Sequence, residues 1–174
     1  MRQRDFRPWL LLIAVAVIVL DRLSKLWVAS HIPHGGRISL IPHVFYLSHV
    51  FNTGAAFSLF EESLSPLLVR NVLIGFSSLA VVVVAAMIWR LGRTASLTGV
   101  ALALILGGAV GNLYDRIHLS YVIDFLAVNI WHYHWPDFNV ADSAIVTGAC
   151  LLLLEIFRTP VAHSHAASDV LPEQ

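Results

Sequence analysis

Tyr121-Val122-Ile123-Asp124-Phe125 through Phe138-Asn139-Val140-Ala141-Asp142 sets two carboxylates, eighteen residues apart, in apolar and aromatic company. The second carboxylate opens a long hydrophobic segment. Burying a carboxylate near lipid is costly, so the pair asks for a reason. An aspartic hydrolase supplies one. It needs an ionised carboxylate to activate water and a protonated one to polarise the scissile carbonyl, and two carboxylates held close split their pKa values to provide both. The competing reading makes Asp142 a helix cap and Asp124 a loop carboxylate, and spacing alone favours that reading.

Working outward, the 174 residues are 57% hydrophobic and only 13% charged, with mean hydropathy +0.75. A soluble domain carries about a quarter charged residues, so the chain falls in the membrane class. Lys and Arg number 11, as do Asp and Glu, and no basic stripe offers itself to a nucleic acid. The single cysteine, Cys150, excludes an internal disulfide and reads as a small hydrophobe.

Four segments have the length of membrane spans: about 8–30, 66–89, 95–113 and 138–157. Helices of about 20 residues fit a bilayer core of about 30 Å. Pro8 suits a first helical turn, and Pro33, Gly35 and Gly36 end the first span. Arg2, Arg4, Arg7, Arg90, Arg93 and Arg158 fall on one side. Arg22, Lys25, Arg37, Arg70 and Arg116 fall at or beyond the other. The short Arg90–Arg93 turn and the Arg-rich N-terminus favour both termini inside. Asp21, Lys25, Asn112, Asp115, Arg116, Asp124 and Asp142 then gather at one face, the outer one.

Residues 37–60 differ in period. Ile38–Ile41 and Val44–Phe51 are rich in β-branched and aromatic residues, and Asn52-Thr53-Gly54 is a turn signal. They predict a small β-hairpin or sheet, with Phe45, Phe51, Phe57 and Phe60 in and beside it, whose apolar face rests on the membrane surface. Residues 121–138 read as an aromatic surface loop. Residues 159–174 read as a disordered tail behind a single membrane domain, 1–158.

Asp21 and Lys25 stand i, i+4 on one helix, acid first, and read foremost as a neutralised ion pair. Asn112 and Arg116 share the same spacing, while Asp115 reads as a surface partner. Asn139 is placed to cap the fourth helix or orient a carboxylate. Gly107, Gly108 and Gly111 have helix-packing spacing. His132 and His134 complete no zinc motif; with Trp131 and Trp135 beside them, interfacial anchoring is the better reading. Ser77-Ser78 has no base to activate it. A proton-coupled transporter would need ionisable groups across the membrane, and a lipid-binding scaffold would need no dyad.

The chain resembles the lipoprotein signal peptidases (signal peptidase II), bacterial inner-membrane aspartic endopeptidases. The matching stretches are Asp21-Arg22-Leu23-Ser24-Lys25, Asn52-Thr53-Gly54-Ala55-Ala56-Phe57, Gly107 to Arg116, Val122-Ile123-Asp124-Phe125 and Phe138-Asn139-Val140-Ala141-Asp142, in order. The resemblance implies an all-α bundle of four transmembrane helices with an extracytoplasmic β-sheet cradle and a short interfacial helix. It implies removal of the signal peptide from prolipoproteins before a diacylglyceryl-modified cysteine. It makes Asp124 and Asp142 the catalytic dyad, with Asp21, Lys25, Asn52, Gly54, Gly108, Asn112, Arg116, Asn139 and Ala141 binding substrate or supporting the site. No metal or cofactor is implied. The implied partners are lipidated prolipoprotein signal peptides, membrane lipids and cyclic lipopeptide inhibitors, with the enzyme a monomer.

Overall fold

The computed structural model describes residues 5–54 and 65–158. The expected tail, the Ala55–Phe60 part of the cradle, Arg2 and Arg4 lie outside the described residues. Among the described residues eight elements follow one another: α1 (Arg7–His31), β1 (Arg37–Ile41), β2 (Phe45–Asn52), α2 (Pro66–Leu91), α3 (Leu97–His118), β3 (Val122–Ile130), β4 (Tyr133–Phe138) and α4 (Val140–Arg158).

Local chemistry starts and stops the helices. Pro8 and Pro66 occupy first-turn positions of α1 and α2, where a missing N–H costs nothing. Ser65 caps α2 by accepting from the Leu68 amide at 3.3 Å, and Ser96 caps α3 by accepting from the Gly99 amide at 3.0 Å. At the other end of the bundle Arg7 donates to the Trp89 carbonyl and lies over the Trp89 ring, clasping the start of α1 to the end of α2.

Helix α3 is the hub, packed on α1, α2 and α4, while α2 and α4 flank it with little contact between them. Its small residues allow this. A Cβ at Gly107 would stand 2.7 Å from the Ala14 carbonyl oxygen of α1, and one at Gly108 would overlap the Ala141 carbonyl oxygen of α4. Leu10, Ala14, Val84, Ile88, Leu102, Ala103 and Leu106 make the core between α1, α2 and α3. A second cluster, Val28, Ile32 and Phe125, seats the sheet on the end of α1.

Three helices, α2, α3 and α4, are long and apolar enough to cross a membrane. Helix α1 is of similar length but carries Asp21, Arg22 and Lys25 in its second half. The mean hydropathy of α2 is 2.5, yet only 11% of its most apolar window is buried. Such a helix is apolar on every side because lipid, rather than protein, is its neighbour. The short interfacial helix that the resemblance implies is not found among the described residues.

The sheet differs most from the sequence reading. It has four antiparallel strands in the order β1-β2-β3-β4, and half of it comes from the stretch read as a loop. Asp124 therefore sits on a central strand opposite Val50, and Asn52 sits opposite Val122, two residues along on the same face. The β3–β4 hairpin turns on Trp131-His132, with Trp131 at φ 57° and 94% exposed. A bare two-residue turn without Gly or Asn hides the hairpin from pattern reading. Pro136 lies on β4, an edge strand, where no partner needs its N–H. Helix α3 also runs five residues beyond the expected 113, so Asp115 and Arg116 are helical.

Candidate active site

The start of α4 organises the site. Asn139 precedes its first turn, and its side-chain Oδ1 accepts from the Asp142 amide at 2.9 Å. Asp142 answers by accepting from the Asn139 amide at 3.2 Å on Oδ2. This reciprocal pair is a capping box, with the acid at the third helical position, where the helix dipole favours an anion. The same Asn139 side chain turns its Nδ2 to Asp124 Oδ1 at 2.7 Å. One asparagine thus does both things the sequence suggested: it caps the helix and holds each of the two carboxylates.

Each carboxylate has a second amide donor. Asn52 Nδ2 donates to Asp124 Oδ2 at 2.8 Å, and Asn112 Nδ2 donates to Asp142 Oδ1 at 2.7 Å. Gly54, at φ +103°, lets the chain turn back so that its amide donates to Asn52 Oδ1 at 2.8 Å. That turn fixes which end of the Asn52 amide faces Asp124. A Cβ at Gly54 would also meet Leu73 of α2 at 2.8 Å.

Behind Asn112 lies a buried ionic cluster. Lys25 Nζ stands 2.8 Å from Asp21 Oδ2, 2.8 Å from Asp115 Oδ2 and 3.1 Å from Asn112 Oδ1. An ammonium has three protons, so Lys25 is fully used. Its bond, together with one from Asn139 Nδ2 at 3.2 Å, fills Asn112 Oδ1 and leaves the Asn112 amide nitrogen aimed at Asp142. Asp21 Oδ1 accepts from the Ala141 amide at 2.9 Å, so a carboxylate of α1 satisfies an N-terminal N–H of α4. Asp115, read as a surface partner, is instead 1% exposed and shared by Lys25 and Arg22, the latter at 3.5 Å. Its spacing of three from Asn112 puts both on one helical face, a signal obscured by pairing Asn112 with Arg116 alone.

Burial pushes the Asp124 carboxyl up to about 7. The Asn52 and Asn139 amides pull it down, and the charge of Asp142 adds to the rise. Arg116 donates to the Asn112 carbonyl at 3.4 Å, and its charge acts on both Asp142 and Asp124. Gly108 of α3 lies against the Ala141 backbone carbonyl of α4, so the two helices touch backbone to backbone there. An open cavity of about 600 Å³ reaches Asn52 and Asp142, and is walled by Ser143, Val146 and Thr147 of α4 and by Trp135 to Phe138 of β4.

Other candidates fall elsewhere. Phe51 is stacked between His34 and Tyr121, each at 4.0 Å. His134 bonds Asn129 and pairs with Asp137. Trp135 is half exposed beside the cavity.

The profile of the family described as signal peptidase (SPase) II matches residues 13–158. The chain belongs to the signal peptidase II family. A "Lipoprotein signal peptidase" of Pseudomonas fluorescens is 44% identical over 155 residues, covering 87% of this chain and 88% of the relative. One from Pseudomonas aeruginosa is 43% identical over 157 residues, covering 87% and 89%. One from Solibacter usitatus is 39% identical over 146 residues, covering 84% and 88%. A solved structure described as "Bacterial membrane enzyme structure by the in meso method at 1.9 A resolution" superposes with TM-score 0.81 at 27% identity, over 92% of this chain and 99% of that one. This signal peptidase II shares its fold with a second such membrane enzyme, at TM-score 0.78 and 24% identity over 99% of both chains. All the matching stretches from Asp21 to Asp142 lie within the family span.

Proposed function

We propose that this signal peptidase II is an aspartic endopeptidase whose dyad is Asp124 and Asp142. Family membership makes the chain a peptidase that removes signal peptides from prolipoproteins. The observation that carries the aspartic reading is the Asn139 side chain, which binds Asp124 directly and caps the turn that holds Asp142. Two carboxylates tied to one asparagine, one by its side chain and one by its backbone N–H, beside an open cavity, are arranged for acid–base work on a peptide bond. Burial raises the Asp124 carboxyl toward neutrality, which supports placing the proton there. That carboxyl polarises the scissile carbonyl, while Asp142, at the helix N-terminus, takes a proton from the attacking water. Arg116 holds positive charge near both and stabilises the anion that remains.

The bond cleaved precedes a cysteine already bearing diacylglycerol. The open cavity that runs along α4 from Asp142 to Thr147 supports lateral access for an apolar signal helix. In this reading α1 crosses the membrane too, its charges neutralised by α3 and α4. The termini are then cytoplasmic, and the dyad stands at the extracytoplasmic face of the bacterial inner membrane. Residues 1–158 act as one domain and as a monomer, without metal or cofactor, and cyclic lipopeptides compete with the substrate. Purified protein is expected to cleave a lipidated prolipoprotein and leave the unlipidated form intact. Equal cleavage of both would refute the lipid requirement.

A further inference from the structure

A second cavity, between α1 and α3, shares no residue with the one at the dyad. It holds about 220 Å³ and is lined by Ile18, Asp21 and Arg22 of α1 and by Gly111 and Tyr114 of α3. Ile18 and Gly111 lie about one helical turn deeper in the bundle than Arg22 and Tyr114. Asp21 accepts from the Ala141 amide, so Arg22 stands level with the start of α4, a helix long and apolar enough to cross a membrane. That level is a face of the bilayer, where lipid phosphates lie. Arg22 is the outermost member of the ionic cluster. Its side chain is 32% exposed, while those of Asp21, Lys25 and Asp115 are at most 2% exposed. The four charges cancel, yet the carboxylates lie inside and the guanidinium outside, so the cluster has a positive outer end. Among the described residues Arg22 hydrogen-bonds only Asp115, at 3.5 Å, and Asp115 has a closer cation in Lys25 at 2.8 Å. Most of the five N–H donors of the guanidinium are therefore unused. The Arg22 guanidinium lies 4.9 Å from the centre of the half-exposed Tyr114 ring, which also stacks on His118 at 4.1 Å. His118 Nδ1 meets the Tyr114 carbonyl, leaving Nε2 without a partner among the described residues.

We propose that this cavity binds one anionic phospholipid of the surrounding bilayer, with its phosphate on Arg22 and the start of an acyl chain over Ile18 and Gly111. The inference goes beyond the peptidase reading and uses neither carboxylate of the dyad. Donors above and an apolar crevice below match the two parts of a phospholipid in their natural order. A guanidinium suits a phosphodiester because it offers two parallel N–H bonds to it. The Tyr114 hydroxyl and His118 Nε2 stand on the same side to add donors, and a tyrosine at this depth keeps its ring in the apolar zone and its hydroxyl in the polar one. A zwitterionic headgroup fits less well. The one carboxylate that lines the cavity, Asp21, is buried, with Lys25 on one oxygen and the Ala141 amide on the other, so none is left for a headgroup ammonium. A lipid held here bridges α1 and α3 beside the ionic cluster, and its binding adds to the stability of the fold.

The test titrates the full chain, purified in detergent, with phosphatidylglycerol, phosphatidylcholine, diacylglycerol or inorganic phosphate. Bound lipid is counted by native mass spectrometry, and thermal unfolding is followed in parallel. The unaltered chain is expected to retain one phosphatidylglycerol, about fivefold more tightly than phosphatidylcholine, and to melt at a higher temperature with it. Diacylglycerol is expected not to be retained, and inorganic phosphate neither to bind measurably nor to displace the lipid. Arg22→Gln is expected to weaken retention by about tenfold and to abolish the gain in melting temperature. Ile18→Trp fills the crevice and leaves every charge in place; it is expected to weaken retention by about tenfold as well, and it carries the test if Arg22→Gln does not fold. Retention unmoved by Ile18→Trp would overturn the site. Phosphatidylcholine or diacylglycerol held as tightly as phosphatidylglycerol, or displacement of the lipid by inorganic phosphate, would overturn the ligand. A gain in melting temperature that survives in Arg22→Gln would show that Arg22 serves the ionic cluster alone.

Discussion

Two carboxylate groups stand side by side at the head of the bundle and are treated in opposite ways. Asp21 and Asp115 share the ammonium of Lys25, each at 2.8 Å, and Arg22 adds a second cation. Among the described residues, Asp124 and Asp142 receive only amide N–H groups in direct contact. In the first group charge is cancelled and every donor of Lys25 is used, so nothing is left for a reagent. In the second, the carboxylates are oriented without being neutralised, and one of them has its pKa raised to about 7. The difference teaches how a membrane peptidase can keep a stable head: the ion cluster holds α1, α3 and α4, and leaves the proposed dyad un-neutralised.

The sharpest way to break the comparison is to neutralise each group in turn. Asp124→Asn and Asp142→Asn are each expected to lower cleavage of a lipidated prolipoprotein by about 10³-fold or more with little change in thermal unfolding. Near-normal cleavage by either variant would remove it from the dyad. Asp115→Ala is expected to act the other way round, costing about 3–5 kcal/mol because Lys25 loses a partner in a buried site. A melting temperature unchanged in detergent would show that the cluster carries no stability.

Asn139→Ala probes the bridge between them. The lost cap costs about 1 kcal/mol, while misplacement of the carboxylates lowers the rate by about 10²-fold. Rate and stability falling in proportion would argue that Asn139 only caps. The smallest effect is in pH. Asp124 holds its proton more tightly folded than unfolded, so its contribution to stability is present below its ordinary 3.8 and lost as pH rises to about 7. Turnover should fall above pH about 7 as the acid form is lost, and Asp124→Asn should flatten the stability profile between those limits. A rate that keeps rising above pH 7 would reassign the proton.

Much of this was legible in the sequence. The apolar runs located four helices to within a few residues at most ends, and the carboxylates Asp124 and Asp142 stood out because nothing around them explained them. Asn139 was placed correctly because an asparagine just before an apolar run has a local job. What was missed is what arises between distant segments. Val122–Phe138 alternates poorly, contains Pro136, and turns on Trp131-His132, so its pairing with β2 depends on contacts seventy or more residues away. Asp115 looked like a surface residue because its partner, Lys25, sits on another helix ninety residues earlier. Asp137 carries no local signal, because Ser48, which donates to it, lies 89 residues earlier on another strand.

The bond from the Ala141 amide to Asp21 joins positions 120 residues apart. A membrane chain emerges from its synthesis in order, first helix first, and this contact is among the last that can form. A nascent chain that ends before residue 138 already contains Asp124 but neither Asn139 nor Asp142. The proposed dyad therefore cannot be assembled until the final helix is made and takes hold of the first.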